Sequence, residues 1–260
     1  MDKKYLKDLP VFQFHILQKF SDQVKHAVFT RHGGVSKPPY DKLNVRFGVG
    51  DDFKNVETNR LLISDALGVK SENLVSANQT HSKNVAIADE EFLNLNRGKE
   101  VDNFDAFITN MHDVALMVQV ADCQPILMFD PVKKVIAAVH AGWKGLVQNI
   151  SCETINLMQK KYGCLPENIL VGIGPSLGPD FAFFSEPENE LPTSFANYID
   201  KKKRVNLWQY SVDQLVSCGI ARNHIELAGI CTQEEKGKNF YSYRGEKGIT
   251  GRFGAVILMI

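Results

Sequence analysis

The chain has 260 residues, of which 44% are hydrophobic and 23% charged, a composition typical of a soluble globular protein. Its 30 basic and 30 acidic residues balance, which argues against nucleic acid or a membrane surface as a partner. No apolar run has the length of a membrane span or signal peptide. Five scattered cysteines without a CxxC pair favour a reducing compartment over a disulfide framework. We therefore expect a cytoplasmic protein with one domain over residues 1–260.

The first third of the chain alternates short strands with loops and one helix. Its predicted elements are an edge strand over 11–20, a strand over 26–30, a glycine- and proline-rich loop over 31–40, a short strand over 43–48 and a helix over 53–67. The loop is long enough to indicate either ligand contact or a surface excursion. The two-residue period of a strand places Asn44 and Arg46 on one face. An aspartate cap and Gly68 bound the helix.

The middle third is dominated by apolar strands. Its predicted elements are a strand over 74–82 ending in a polar tip, a strand over 84–88, an exposed helix or loop over 90–103, strands over 104–109 and 114–120 joined by a hairpin-like turn, strands over 126–129 and 135–140, and a helix over 147–162. Pro125 lacks an N–H group, so we expect a break or bulge at Cys123. A tight turn over 142–145 separates the last strand from its helix, which ends at Gly163.

The last third continues the same alternation. It contains a strand over 168–173 followed by a glycine turn, a weakly patterned stretch over 180–210, a short helix over 211–218, and strands over 225–230 and 253–260. Strands outnumber helices and alternate with them irregularly. This pattern predicts an α+β protein, a layered α/β sandwich with mixed β-sheets.

Three metal-ligating side chains, His81, Cys123 and His140, each stand at the end of an apolar strand. Two imidazoles and one thiolate form a zinc ligand set that leaves a fourth position open for water or substrate. The same atoms also suit a thiol hydrolase, with Cys123 as nucleophile, His140 as base, and Asp122 or Asn78 orienting the imidazole. Both side chains could instead be structural, His140 as a core histidine and Cys123 as an inert buried thiol.

Several motifs carry a resemblance to one known family. They are Thr30-Arg-His-Gly-Gly-Val-Ser36, Asn59-Arg60, Gln79-Thr-His81, Thr109, Ala121-Asp-Cys123 with Pro125, His140-Ala-Gly-Trp-Lys-Gly145, Gly172-Ile-Gly-Pro-Ser176, Cys231-Thr232, Tyr241-Ser-Tyr-Arg244 and Thr250-Gly-Arg252. From about residue 26 to the C-terminus the chain resembles the family called multicopper polyphenol oxidase, or laccase-like, in older descriptions. That family is described more recently as purine nucleoside phosphorylase and adenosine deaminase, with one branch called peptidoglycan editing factor.

The resemblance implies one zinc ion held by His81, Cys123 and His140. It also implies phosphorolysis of adenosine, inosine, guanosine and methylthioadenosine, with deamination of adenosine at the same site. The expected partners are thus a purine nucleoside and phosphate, and we expect a monomer or weak homodimer.

Charge and strand-end position select further candidates within the resembling chain. For the phosphate they are Arg46, Arg60, Lys144, Gly33 and Gly34, and the polar partners are Asn44, Asn78 and Asp122. Among these, Arg46 and Asp122 are also candidates for the catalytic step. Two departures from the family pattern are Lys144, where an arginine is usual, and the segment 179–185. Lysine keeps the charge but loses bidentate geometry.

The oxidase description fits the residues poorly. Several coppers would need a larger set of histidine ligands than one three-residue constellation supplies, so copper is the less favoured metal. Two alternatives remain open: a polyphenol oxidase, and a Cys–His hydrolase or zinc-stabilised binding protein that edits peptidoglycan precursors.

Overall fold

A computed structural model describes all 260 residues and contains fourteen strands and seven α-helices. The strands are β1 (Asp2–Leu6), β2 (Leu9–Gln13), β3 (Val24–Phe29), β4 (Leu74–Val75), β5 (Ala77–Asn78), β6 (Val85–Ile87), β7 (Val101–Asp102), β8 (Ala106–Thr109), β9 (Ala115–Val120), β10 (Gln124–Asp130), β11 (Val135–Ala141), β12 (Leu170–Ile173), β13 (Ile225–Leu227) and β14 (Phe253–Met259). The helices are α1 (His15–Gln18), α2 (Phe53–Leu67), α3 (Glu90–Asn96), α4 (Trp143–Val147), α5 (Ile150–Tyr162), α6 (Pro187–Glu190) and α7 (Leu207–Ser217). None of these helices has the length and apolarity needed to cross a bilayer.

Two six-stranded mixed sheets form the centre of the molecule. The first has the order β1-β2-β3-β14-β9-β4 and the second the order β13-β12-β10-β11-β8-β6. Their central strands are buried on both faces, as their continuous apolar sequences require. Helix α2 covers the outer face of the first sheet, and α5 and α7 cover the outer face of the second. The predicted layered α+β fold with mixed sheets is confirmed.

Two helices, α2 and α5, end at their predicted capping residues. Asp52 accepts a hydrogen bond from the Lys54 N–H at 2.8 Å, and Gly68 ends α2 in the left-handed region at φ 79°. Gly163 ends α5 in the same way at φ 68°. The predicted turn over 142–145 is wrong, because α4 already begins at Trp143, and a left-handed Asn149 separates it from α5.

Two strands predicted near the N-terminus are also corrected. The strand over 11–20 ends at Gln13 because the Phe14 N–H donates to the His26 ring and α1 follows. It is not an edge strand either, since β1 pairs along its outer side. Residues 43–48 form no strand, because the Val45 and Arg46 N–H groups bond to Arg252 and to the Asn44 side chain.

The predicted hairpin and the predicted cysteine state differ from the structure as well. Strands β8 and β9 belong to different sheets, so their connection crosses between layers.

Cys152 on α5 forms a disulfide with Cys218 at the end of α7, with Cα atoms 5.8 Å apart. Packing of two helices that are 66 residues apart in sequence creates this pair, and no local cysteine motif signals it.

His26 on β3 makes the stability of this fold pH-dependent. Its side chain is buried, and burial lowers its pKa from 6.5 to about 4, although Glu226 raises it. Between these pH values the unfolded chain takes up a proton that the folded chain does not. The free energy of unfolding therefore keeps its full value above pH 6.5 and falls by about 3 kcal/mol as the pH drops towards 4.

We expect His26→Gln to remove this contribution, because glutamine can accept from the Phe14 N–H without titrating. Urea unfolding of both proteins at pH 7 and pH 4.5 measures it. The wild type should lose more stability on acidification than the variant does. Equal losses in the two proteins would show that His26 is not the group responsible.

Candidate metal centre and its cavity

Three separate elements bring His81, Cys123 and His140 together. His81 follows β5 with a left-handed backbone at φ 60°, Cys123 lies between β9 and β10, and His140 is near the end of β11. Their ligating atoms all lie within 4.8 Å of one another. The pairing of β10 with β11 sets Pro125 opposite His140, which brings Cys123 beside the imidazole. The expected break at Cys123 is present, since β9 ends at Val120 and β10 begins at Gln124.

The spacing of these ligands suits a single ion. Cys123 Sγ lies 3.6 Å from His81 Nε2, the separation expected across a tetrahedral ion with bonds of about 2.3 Å to sulfur and 2.0 Å to nitrogen. The two imidazole rings meet edge to face at 4.8 Å. A Cβ atom at Gly142 would lie 2.6 Å from the His81 ring and 2.9 Å from Cys123 Sγ. The residues present therefore fit a zinc-sized ion, and glycine is the residue that leaves room for the ligand cluster.

The ligands influence one another electrostatically. Burial raises the pKa of the Cys123 thiol, but the effect of His140 and His81 is larger and lowers this pKa to about 6. Burial lowers the pKa of His140, whereas Cys123 and Asp105 raise it to about 9. A thiolate at neutral pH is what a metal ligand requires, and it is also what a nucleophilic cysteine requires.

Asp105 is a residue of this site that the sequence analysis missed. It is fully buried, and its Oδ1 lies 2.7 Å from His140 Nδ1 and accepts the His81 N–H at 3.0 Å. The carboxyl pKa falls to about 2, because burial raises it but the bonds to His140 and Ser82 lower it more. The sequence contains one indication of this role. Asp105 is a carboxylate within the apolar run 104–109, and a buried carboxylate needs hydrogen-bond partners to offset its cost.

The three ligands lie in the wall of a cavity of about 680 Å³, a size suited to a small organic ligand. One part of the wall is apolar and contains Trp143, Leu177, Phe184 and Leu207. The Trp143 and Phe184 rings meet edge to face at 5.8 Å. The cationic part of the wall contains Arg46, Lys144, Arg244, Lys247 and Arg252.

Arg46 and Arg252 are half-buried, whereas the other three cations of this wall are exposed. The Arg46 guanidinium donates to Asn78 Oδ1 at 2.6 Å, and that of Arg252 donates to the Thr250 and Gly251 carbonyls. Neither charge is paired with a carboxylate. Burial lowers the pKa of Arg252, while Cys123 raises it and Arg46 lowers it, so the two arginines and the thiol share one electrostatic environment. Arg252 appeared in the sequence analysis only as part of a motif.

Asn44 holds the two arginines in place. It is fully buried, and its Oδ1 accepts the backbone N–H of Arg46 at 3.1 Å and of Arg252 at 2.9 Å. Asn44 is absent from the cavity wall. The Asn44 amide therefore lies behind the cationic wall and supports its backbone. Asn78 is also absent from the wall, although it bonds to Arg46, so the structure places neither predicted asparagine in the cavity.

Asp122 lines the cavity, but both of its oxygens are engaged. Oδ1 accepts from the Thr232 hydroxyl at 2.6 Å and the Ser242 hydroxyl at 2.7 Å. Oδ2 accepts from the Arg244 N–H at 2.6 Å. Asp122 thus fastens the segment 242–244 to the wall, and the sequence offered no sign of this pairing across 120 residues.

The structure does not bring Arg60, Gly33 or Gly34 into the cavity wall. Arg60 is paired with Glu100 at 2.6 Å and stacks on the Phe47 ring. At Gly33 and Gly34 an added Cβ would meet Leu9 and the Lys42 carbonyl respectively, so these glycines serve close chain packing. Lys144 does line the cavity and lies over the Trp143 ring, 5.6 Å from its centroid.

Comparison with known proteins defines the class to which this fold and site belong. Curated relatives include the purine nucleoside phosphorylase of Bacteroides thetaiotaomicron, 30% identical over 87% of this chain and 88% of its own length. Another is purine nucleoside phosphorylase YlmD of Bacillus subtilis, 33% identical over 88% of this chain and 86% of its own length. The Corynebacterium glutamicum purine nucleoside phosphorylase is 35% identical over 90% and 94%.

Solved structures agree with these relatives. The crystal structure of the Bacillus licheniformis hypothetical protein YfiH superimposes with a TM-score of 0.86 at 25% identity, covering 97% of this chain and 96% of that one. The family described as multi-copper polyphenol oxidoreductase laccase matches residues 25–260. The chain belongs to this family, as the resemblance of its sequence motifs had indicated.

Proposed function

We propose that this protein is a zinc-dependent purine nucleoside phosphorylase acting on adenosine, inosine, guanosine and methylthioadenosine. One observation carries the proposal. A single cavity contains a two-imidazole, one-thiol ligand set, an arginine pair without carboxylate partners, and an apolar aromatic wall. The activity named for the curated relatives supports it.

The residues of the cavity divide the work between anion and nucleoside. Arg46 and Arg252 bind the phosphate, since paired guanidinium groups match phosphate oxygens well. Trp143, Leu177 and Phe184 exclude water and pack against the purine. Lys144 adds positive charge near the cavity rim. The nucleoside is thus oriented between an apolar surface and the attacking anion, which favours reaction through proximity.

His81, Cys123 and His140 would hold the zinc ion. Zinc supplies a Lewis acid and lowers the pKa of bound water to about 7. In the same cavity, attack of water on C6 of adenosine with loss of ammonia would give inosine, and we propose this deamination as a second activity. We also propose that the protein acts as a monomer or weak homodimer in the cytoplasm, where reducing conditions would open the Cys152–Cys218 bond.

A Cys–His hydrolase is the second candidate, and one observation favours it. The Asp105 carboxylate bonds to the His140 imidazole and orients it. The imidazole in turn lies beside the Cys123 thiol, whose pKa of about 6 leaves it ionised at neutral pH. This is the order of groups that nucleophilic cysteine catalysis uses. Such an enzyme would need no metal and no phosphate.

Product analysis decides between the two. Purified protein, with its metal counted by elemental analysis, is incubated with inosine or adenosine with and without phosphate, and the products are separated by chromatography. The phosphorylase predicts free base and ribose 1-phosphate only when phosphate is present. Inosine formed from adenosine without phosphate would add the deaminase activity. No turnover by zinc-loaded protein would refute the proposed function.

A further inference from the structure

We propose that Asp105 is the positioning residue of the metal centre, fixing both imidazole ligands through one carboxylate. This inference rests on the zinc centre of the proposed function and assigns a role to a residue outside the ligand set. It predicts that zinc affinity depends on the acceptor character of Asp105 and not only on its size.

Asp105 determines the tautomer of His140. Asp105 Oδ1 lies 2.7 Å from His140 Nδ1, and an ionised carboxylate can only accept hydrogen bonds. The proton of the neutral ring must therefore be on Nδ1, which leaves the Nε2 lone pair free for the metal. Carboxylates bonded to metal-ligating histidines orient the ring and fix its tautomer in this way.

Asp105 also holds the backbone that carries His81. Asp105 accepts three consecutive N–H groups, from Thr80 at 3.2 Å, His81 at 3.0 Å and Ser82 at 2.7 Å. The Ser82 hydroxyl also donates to it at 2.7 Å. These bonds hold His81 at φ 60°, a left-handed conformation that a non-glycine residue adopts only when its surroundings enforce it.

The second sheet fixes the position of Asp105. This residue immediately precedes β8, and β8 pairs with β11 so that Ala106 lies opposite Val139. The His140 N–H donates to the Asp105 carbonyl at 2.7 Å. The sheet register thus places the carboxylate beside His140, and the loop over 80–82 wraps around its other side. One residue is joined to both imidazole ligands through side chain and backbone.

Asparagine at position 105 keeps the shape but not the acceptors. If its NH₂ group faces His140, the ring must accept on Nδ1 and carry its proton on Nε2, where the metal binds. If the NH₂ group faces the loop instead, it opposes the N–H groups of residues 80–82. Either arrangement disturbs one imidazole ligand, so Asp105→Asn should weaken zinc binding by about 10- to 100-fold.

Zinc affinity is measured by competition with a chromogenic chelator, and the ligand field by the absorption spectrum after cobalt(II) substitution. Asp130→Asn is the matched control. Asp130 is also fully buried and accepts two backbone N–H groups, but it lies at the end of β10 away from the ligands. We expect Asp105→Asn to lose affinity and change the cobalt spectrum, and Asp130→Asn to keep the wild-type affinity and spectrum. Zinc affinity within about twofold of wild type in Asp105→Asn would overturn the inference.

A measurement on the wild type covers the case in which Asp105→Asn does not fold. Long-range ¹H–¹⁵N spectra of the zinc-loaded protein should show His140 protonated at Nδ1, and the opposite tautomer would overturn the inference. Zinc binding without phosphorolysis would refute the proposed function but leave the role of Asp105 intact. A wild-type protein that binds no zinc would refute both.

Discussion

Replacing Gly142 by alanine is expected to weaken zinc binding by about 10- to 100-fold and to lower phosphorolysis accordingly. The added Cβ would lie 2.6 Å from the His81 ring and 2.9 Å from Cys123 Sγ. Either ligand must move to accommodate it, and overpacking of this kind costs about 1–3 kcal/mol. Chelator competition gives the zinc affinity, and product chromatography gives the rate.

Gly145→Ala is the matched control for this substitution. Gly145 is buried in α4, three residues further on, but the nearest atom to an added Cβ is Ile150 Cγ2 at 3.4 Å. This variant should bind zinc as the wild type does. Equal zinc affinity in the Gly142 and Gly145 variants would contradict the ligand geometry described for the centre.

Replacing Arg252 by glutamine should raise the KM for phosphate by about 10- to 100-fold, because hydrogen bonds to a charged group contribute about 1.5–3 kcal/mol. Arg252 has no carboxylate partner to leave unpaired, and its guanidinium donates only to two backbone carbonyls. Zinc content should stay at the wild-type level. Initial rates at varied phosphate and saturating inosine measure the effect.

Arg46→Gln should act in the same direction, since Asn44 holds both arginines. Arg204→Gln serves as a control, because Arg204 is paired with Asp180 and Asp200 outside the cavity. An unchanged KM for phosphate in both cavity variants would exclude this arginine pair as the phosphate site.

The fold was predictable where local signals determine it. Asp52 and Gly68 bound α2 as expected, because capping depends on groups within one turn. The apolar runs of β9, β11 and β14 were recognisable for the same reason. The strand over 43–48 failed because its N–H groups bond to Arg252 and the Asn44 side chain, partners that only the tertiary fold supplies.

In the candidate site, too, features set by residue type were predictable from the sequence, and features set by tertiary contacts were not. The sequence singles out His81, Cys123 and His140 because their residue types at strand ends are typical of metal sites, and the structure brings these three side chains together. Asp105, Arg252 and the supporting role of Asn44 were not found, because each depends on contacts between distant segments. Arg60 carried the charge expected of a phosphate ligand, but Glu100 neutralises it outside the cavity. Residue type thus indicated the three clustered side chains of the candidate metal centre, whereas the candidate phosphate site depends on three-dimensional pairing.

The ligand set also bears on the oxidase description of the family. The structure contains one group of three or more His, Cys, Asp or Glu side chains that lie close enough to share an ion. This group is His81, Cys123 and His140. Electron transfer through several coppers requires additional histidine-rich sites. The structure thus contains one candidate metal centre, fewer than several coppers would need.

Titration of chelator-treated protein with zinc, followed by the rate of ribose 1-phosphate formation from inosine, tests the central claim most directly. We predict a linear rise in rate that ends at one zinc per chain, and no such rise in Cys123→Ser. Full phosphorolysis by metal-free protein, or a rate that needs several equivalents of copper, would contradict a single zinc centre formed by His81, Cys123 and His140.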